Sequence, residues 1–214
     1  MGTNSTSLDA TQHARIAAAI RAAEAKTAGE IYCVVARSSD SYFFPAAFIL
    51  SAAMLLASLP VALGLEYWWV SIRLPFFVAA QLLALASALL LLWIVPSLRI
   101  RLVPRALQYR RGHDNALKQF LARNVHITTA RTGVLIFVSL AEHYAEIVAD
   151  SGINRHVPQG EWDAILRDLL AHARAERLAD GFVVAIGAVG EHLTKYFPVS
   201  AGDVNELDDH LVEI

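Results

Sequence analysis

Two groups of side chains in this chain combine types that could do chemistry. Glu30, His126, Arg131 and Asp150 supply acids, a base and a guanidinium. A guanidinium can hold a phosphate oxygen bidentately while a carboxylate or imidazole moves a proton. Asp40 and the pair Glu142-His143 form the second group. If the apolar runs 31–36 and 133–138 are parallel strands, the first group falls at one end of the sheet and the second at the membrane-facing end. The bland alternative for the first group is a turn begun by Asp150 ahead of Gly152, with Arg131 paired to it at the surface.

Familiar catalytic signatures are absent. There is no phosphate-binding loop, dinucleotide glycine fingerprint, Gly-x-Ser-x-Gly elbow or His-Glu-x-x-His. His13, His113, His156, His172, His192 and His210 are scattered without metal-ligand spacing. Glu146 falls on one strand face with Tyr144 and Val148, as an exposed or salt-bridged side chain. The single cysteine, Cys33, lies in an apolar run and reads as a buried core residue. Neither a cofactor nor a metal is expected.

These groups flank two uncharged apolar runs, Phe43 to Leu65 and Leu74 to Val95. Each is about 22 residues long, enough to cross a hydrocarbon core of roughly 30 Å. The pattern predicts a transmembrane hairpin over 43–95, inserted into a domain made of 1–42 and 96–214. Tyr42-Phe43-Phe44 and Tyr67-Trp68-Trp69 sit where aromatic rings favour the headgroup level. Arg99, Arg101, Arg105, Arg110 and Arg111 follow the second run, while the inter-run loop carries Arg73 beside Glu66. That asymmetry predicts a two-pass protein of the inner (cytoplasmic) membrane with both termini cytoplasmic. Neither run holds an ionisable group, so the hairpin reads as an anchor rather than a transport path.

A formal net charge of -2 gives no field for nucleic acid, and none is expected as a partner. The arginine run abuts a span and reads as attraction to membrane lipid. The Ser/Thr-rich start, Met1 to Asp9, lacks lysine and arginine and does not read as a secretory signal.

Outside the hairpin the order is helix, strand, helix, strand, strand, helix, helix. Asp9 and Gln12 suggest a capping box, and Gly29 a helix stop. Residues 31–36 read as a central strand, and 133–149 as a β-hairpin. Pro104 opens a helix to about Arg123, which would carry the crossover between the first two strands. Pro158 opens another, and Asp180 is read as the N-cap of the next, which Pro198 ends. The tail after Pro198 is acidic. The expected fold is α/β: a small mixed β-sheet flanked by helices, with the hairpin inserted after the first strand.

The run Thr27-Ala28-Gly29-Glu30-Ile31, the strand Thr132-Gly133-Val134-Leu135-Ile136-Phe137-Val138, the segment Ile147–Ile153 and the late Gly181-to-Pro198 helix together resemble the TPM domain family. The family is named for thylakoid lumen, photosystem assembly and receptor-modulator proteins. Its membrane-anchored bacterial branch is the nearest in pattern. The resemblance implies either an assembly or accessory factor for membrane protein complexes, or an acid phosphatase with a carboxylate-lined metal site. Many members carry an acidic residue and Asn where Arg131 and Thr132 stand here, which argues against an inherited metal site. The reading that follows is a membrane-anchored domain that binds a membrane-protein partner. The alternative is a phosphatase-like hydrolase using Asp150 and Arg131, and a transporter subunit stands third.

Overall fold

A computed structural model describes residues 8–70, 72–128, 131–199 and 206–214. It divides the chain into two compact units, one of 1–39 with 109–214 and one of 40–108.

The first unit is built on a four-stranded sheet in the order β3-β2-β1-β4. Its strands are β1 (Glu30–Ala36), β2 (Gly133–Ser139), β3 (Tyr144–Ala149) and β4 (Leu211–Glu213). β1 pairs parallel with both β2 and β4, while β2 pairs antiparallel with β3, so the sheet is mixed. β1 and β2 are buried at every position, as their unbroken apolar runs require.

Side chains alternate across the sheet and separate two cores. Ile31, Cys33, Val35, Val134, Ile136 and Val138 face α1 (Ala10–Glu24), α7 (Gln159–Arg174) and α8 (Leu178–Tyr196). Tyr32, Val34, Leu135 and Phe137 face Ala116 and Phe120 of α5 (Arg105–Ala122). Helices therefore cover both faces. A short α6 (Ser151–Asn154) and a 3-10 turn (Val125–Ile127) complete this unit.

The capping box at α1 is present: Gln12 N donates to Asp9 Oδ1 at 2.7 Å, and Asp9 N to Gln12 Oε1 at 2.8 Å. Two local readings need correction. Helix α1 ends at Glu24, five residues before Gly29, because Thr27 turns aside to bridge Pro198. Asp180 lies inside the first turn of α8 rather than capping it, and pairs with Arg15 at 2.7 Å, which ties α8 to α1. Within the acidic tail, Leu211 buries itself beside Cys33 and makes β4.

The second unit contains α2 (Phe43–Tyr67), α3 (Leu74–Ile94) and α4 (Pro96–Leu102). In chain order α2 and α3 lie between β1 and β2. A small cluster of Tyr42, Ala46, Leu92 and Val103 packs at one end. Arg99 donates to the carbonyls of Leu92 and Trp93, each at 2.7 Å, and so satisfies the last turn of α3. Gln108 Nε2 does the same for Ile100 and Val103, at 2.8 Å each. The rest of α2 and α3 is apolar and bare, with Phe44 80 % and Leu56 77 % exposed.

Candidate functional site

The parallel pairing puts Glu30 opposite Gly133, so the chain enters β1 and β2 at the same end of the sheet. Asp150 N donates to Gly133 O at 2.9 Å, which brings the exit of β3 there too. Glu30 and Asp150 are thus both at this end, and both are buried. The loop entering β2 carries the other two residues of the group. His126 is half-buried against Phe120, its ring 6.2 Å away, and its Nδ1 is buried without a partner among the described residues. Arg131 is exposed in the left-handed backbone region at φ 53. Among the described residues no ion pair joins Arg131 to Asp150. Asp150 Oδ1 instead accepts from Ser151 N and caps α6, while Oδ2 is buried without a partner.

Thr132 is an organiser of this end. Its Oγ1 donates to Ala28 O at 2.9 Å, its N donates to Thr128 Oγ1 at 3.0 Å, and its O accepts from Glu30 N at 3.1 Å. Gly133 is required beside it, because a Cβ there would lie 2.1 Å from Val125 O.

Two further carboxylates gather here. Glu24 Oε1 accepts from Ile31 N at 2.8 Å. Burial is the main force on its carboxyl, with the Glu30 charge and the adjoining Asp209 carboxyl adding to it. Together they push the acid from 4.5 up to about 8, against the opposing Ile31 amide. At neutral pH Glu24 is therefore mostly the neutral acid. The C-terminal segment supplies Asp209, and also Glu206, whose N donates to Glu30 Oε1 at 3.2 Å. The signal for Glu24 was in the sequence: Ile16, Ile20 and Glu24 are spaced by four, which places the acid on the buried stripe of α1. Nothing local signalled Asp209, whose position depends on β4.

Among the described residues no group of three or more His, Cys, Asp or Glu is arranged to hold an ion. Burial that pushes the Glu24 carboxyl up to about 8 also disfavours the ionised form that a cation would need.

At the opposite end Glu142 is fully buried. It accepts from Ser39 N at 2.8 Å, from Ser38 Oγ at 3.3 Å, and from Ser139 Oγ. A carboxylate so satisfied acts as a strut between the end of β1 and the β2–β3 turn. His143 beside it is exposed, at φ 51. Asp40 opens the second unit.

A third polar cluster joins α5 to β3. His113 Nδ1 lies 2.8 Å from Glu146 Oε1, and the Tyr144 hydroxyl donates to Glu146 Oε2 at 2.8 Å. Burial, and then the Glu146 carboxylate, push the Tyr144 phenol upward. Gly112 makes the approach possible, since a Cβ would fall 2.6 Å from the Tyr144 ring.

Comparison with known proteins agrees with this architecture. The family model described as the TPM domain matches residues 94–192. That stretch includes α5, β2, β3 and α7, and with them His126, Arg131 and Asp150. The chain is similar in fold to the NMR structure of the BA42 protein from the psychrophilic bacterium Bizionia argentinensis. The TM-score is 0.61 and the identity 20 %, with 100 % of each chain covered. No curated protein matches. Between residues 94 and 192 the chain carries a TPM domain.

Proposed function

We propose that this protein is a membrane-anchored TPM domain that serves as a binding or accessory factor for membrane protein complexes. The observation that carries the anchoring is the bareness of α2 and α3. In each, only 6 % of the most apolar 18-residue window is buried by protein. A core helix of a water-soluble domain hides its apolar stripe, since each large apolar side chain gains roughly 1.5–3 kcal/mol on burial. Helices of 25 and 21 residues rise about 37 and 31 Å, which matches a hydrocarbon core of about 30 Å. Lipid is the solvent that suits such surfaces. Arg99, Arg101 and Arg105 directly after α3 favour the cytoplasmic side for that end.

An anchor restricts the domain to two dimensions and raises its effective concentration near other membrane proteins. That suits an accessory role in which contact, rather than turnover, is the output. The carboxylates at the sheet end support it indirectly: the buried Asp150 is used as a cap, and Arg131 does not clamp it.

Alkaline carbonate extraction of membranes tests the anchor. The protein is expected to remain in the pellet and to leave it only with detergent. Release into the carbonate supernatant would refute it.

The hydrolase reading has one observation of its own, Glu24 pushed up to about 8, a carboxylic acid able to donate a proton near neutrality. Phosphoester turnover by the detergent-purified protein, lost in Asp150→Asn, would favour it. No turnover keeps the accessory role in front.

A further inference from the structure

Helix α5 covers one face of the sheet with one side and leaves its other side in the open. Gly112, Ala116 and Phe120 are spaced by four and turn inward. Ala116 and Phe120 join the core of Tyr32, Leu135 and Phe137, and Gly112 lies against the Tyr144 ring. Leu117 and Leu121 keep the same spacing about 100° further round the helix, and both are exposed. Leu121 is 56 % exposed, and Ile127 in the 3-10 turn that follows is 63 % exposed.

A single exposed leucine needs no explanation, but these come with a charge pattern. Between residues 109 and 127 stand Arg110, Arg111, Lys118 and Arg123, all exposed, against one acid, the half-buried Asp114. The stretch thus carries +3, His aside, in a chain of net charge -2. Arg110 lies two turns before Leu117 on the same side of the helix, and Lys118 lies on the flank beside Arg111. Leucines edged by arginine and lysine match the boundary between acyl chains and anionic headgroups. Nucleic acid would pair with the cations and leave the leucines in water, whereas anionic lipid takes both. The chain also enters α5 only ten residues after α3 ends, so a spanning α3 tethers the start of this helix within reach of the same bilayer.

We propose that the outer face of α5, with Leu117, Leu121 and Ile127 set among Arg110, Lys118 and Arg123, docks on the anionic lipid surface and lays the domain on its side. The proposal rests on the anchored reading, because the tether is what keeps this face beside lipid. The leucines enter the headgroup boundary and the cations meet lipid phosphates. The opposite face of the sheet, covered by α1, α7 and α8, then looks into water, where a partner reaches it.

Full-length protein in lipid nanodiscs tests it by contact quenching. Leu121→Cys, Phe48→Cys in α2 and Val184→Cys in α8, all at exposed positions, would each carry bimane. The wild type, whose one cysteine is buried, sets the background. The discs hold doxyl-labelled lipid in phosphatidylcholine alone or in an equal mixture with phosphatidylglycerol. Phe48→Cys should be quenched in both lipids and Val184→Cys in neither. Leu121→Cys should be quenched in the anionic discs and far less in the neutral ones. Adding Arg110→Gln and Lys118→Gln should lower the docked-to-free ratio about 30-fold, roughly fivefold for each basic side chain at an anionic surface. An unquenched Leu121→Cys beside a quenched Phe48→Cys would overturn the docking and leave the anchor standing. An unquenched Phe48→Cys would overturn the anchor and the docking with it. Equal quenching of Leu121→Cys in both lipids, or quenching of Val184→Cys as strong as that of Leu121→Cys, would also overturn the proposal.

Discussion

Replacing Gly133 by Ala probes the tightest joint in the domain. A Cβ on Gly133 would lie 2.1 Å from Val125 O and 2.8 Å from Val125 Cγ1. Optimal separations between carbon atoms are about 3.5–4.0 Å, so the 3-10 turn must retreat by on the order of 1 Å. It cannot retreat without cost. Val125 is fully buried, and its carbonyl is backbone rather than the end of a flexible side chain. The turn is also followed at once by Thr128, which accepts from Thr132 N. Overpacking against a buried backbone costs about 2–4 kcal/mol. For a unit of this size that lowers the melting temperature by roughly 2–4 °C per kcal/mol, or about 5–15 °C in all. Gly187→Ala is the internal control, since nothing lies within 4 Å of its Cβ position in α8. There the gain in helix propensity should stabilise by about 0.5–1 kcal/mol. Scanning calorimetry of the detergent-purified protein reads both. A Gly133→Ala protein that melts with or above the wild type would refute the packing argument.

Glu142→Ala should cost about 2–4 kcal/mol, because Ser39 N and the Ser38 and Ser139 hydroxyls would lose their acceptor at a buried site; chemical denaturation measures it. Arg131→Ala should leave the melting temperature within about 1 °C, since the side chain is exposed and ties down no described carboxylate; a larger drop would mean the guanidinium has a structural partner. Stability of the wild type should fall as pH rises from about 4.5 to about 8, and Glu24→Gln should flatten that slope. A denaturant midpoint series across pH shows whether the slope disappears.

The central strands were legible because parallel strands buried on both faces must be apolar without interruption, and 31–36 and 133–138 are. The β2–β3 hairpin followed from its short connection. Helix ends were less legible. Gly29 and Asp180 have the chemistry of a stop and a cap, yet tertiary contacts claimed them first: Thr27 bridges Pro198 ahead of Gly29, and Arg15 takes Asp180. β4 left no signal of its own, since a three-residue strand among acids has no period to read. The shared end of Glu30 and Asp150 follows from the strand pairing. Arg131 comes to the same end on the loop before β2, but among the described residues no ion pair joins it to Asp150. Glu24 shows the converse: its spacing from Ile20 was visible, but its raised carboxyl depends on burial and on Asp209, whose place was not.

The proposed anchoring requires α2 and α3 to cross a membrane with the domain on the cytoplasmic side. Accessibility labelling in spheroplasts tests this directly. Tyr67→Cys, at the exposed end of α2, and Arg174→Cys, on the exposed end of α7, would each be treated with a membrane-impermeant maleimide. Tyr67→Cys should label in intact spheroplasts, and Arg174→Cys only after permeabilisation. Labelling of Arg174→Cys from outside, or recovery of both proteins in the soluble fraction, would contradict it.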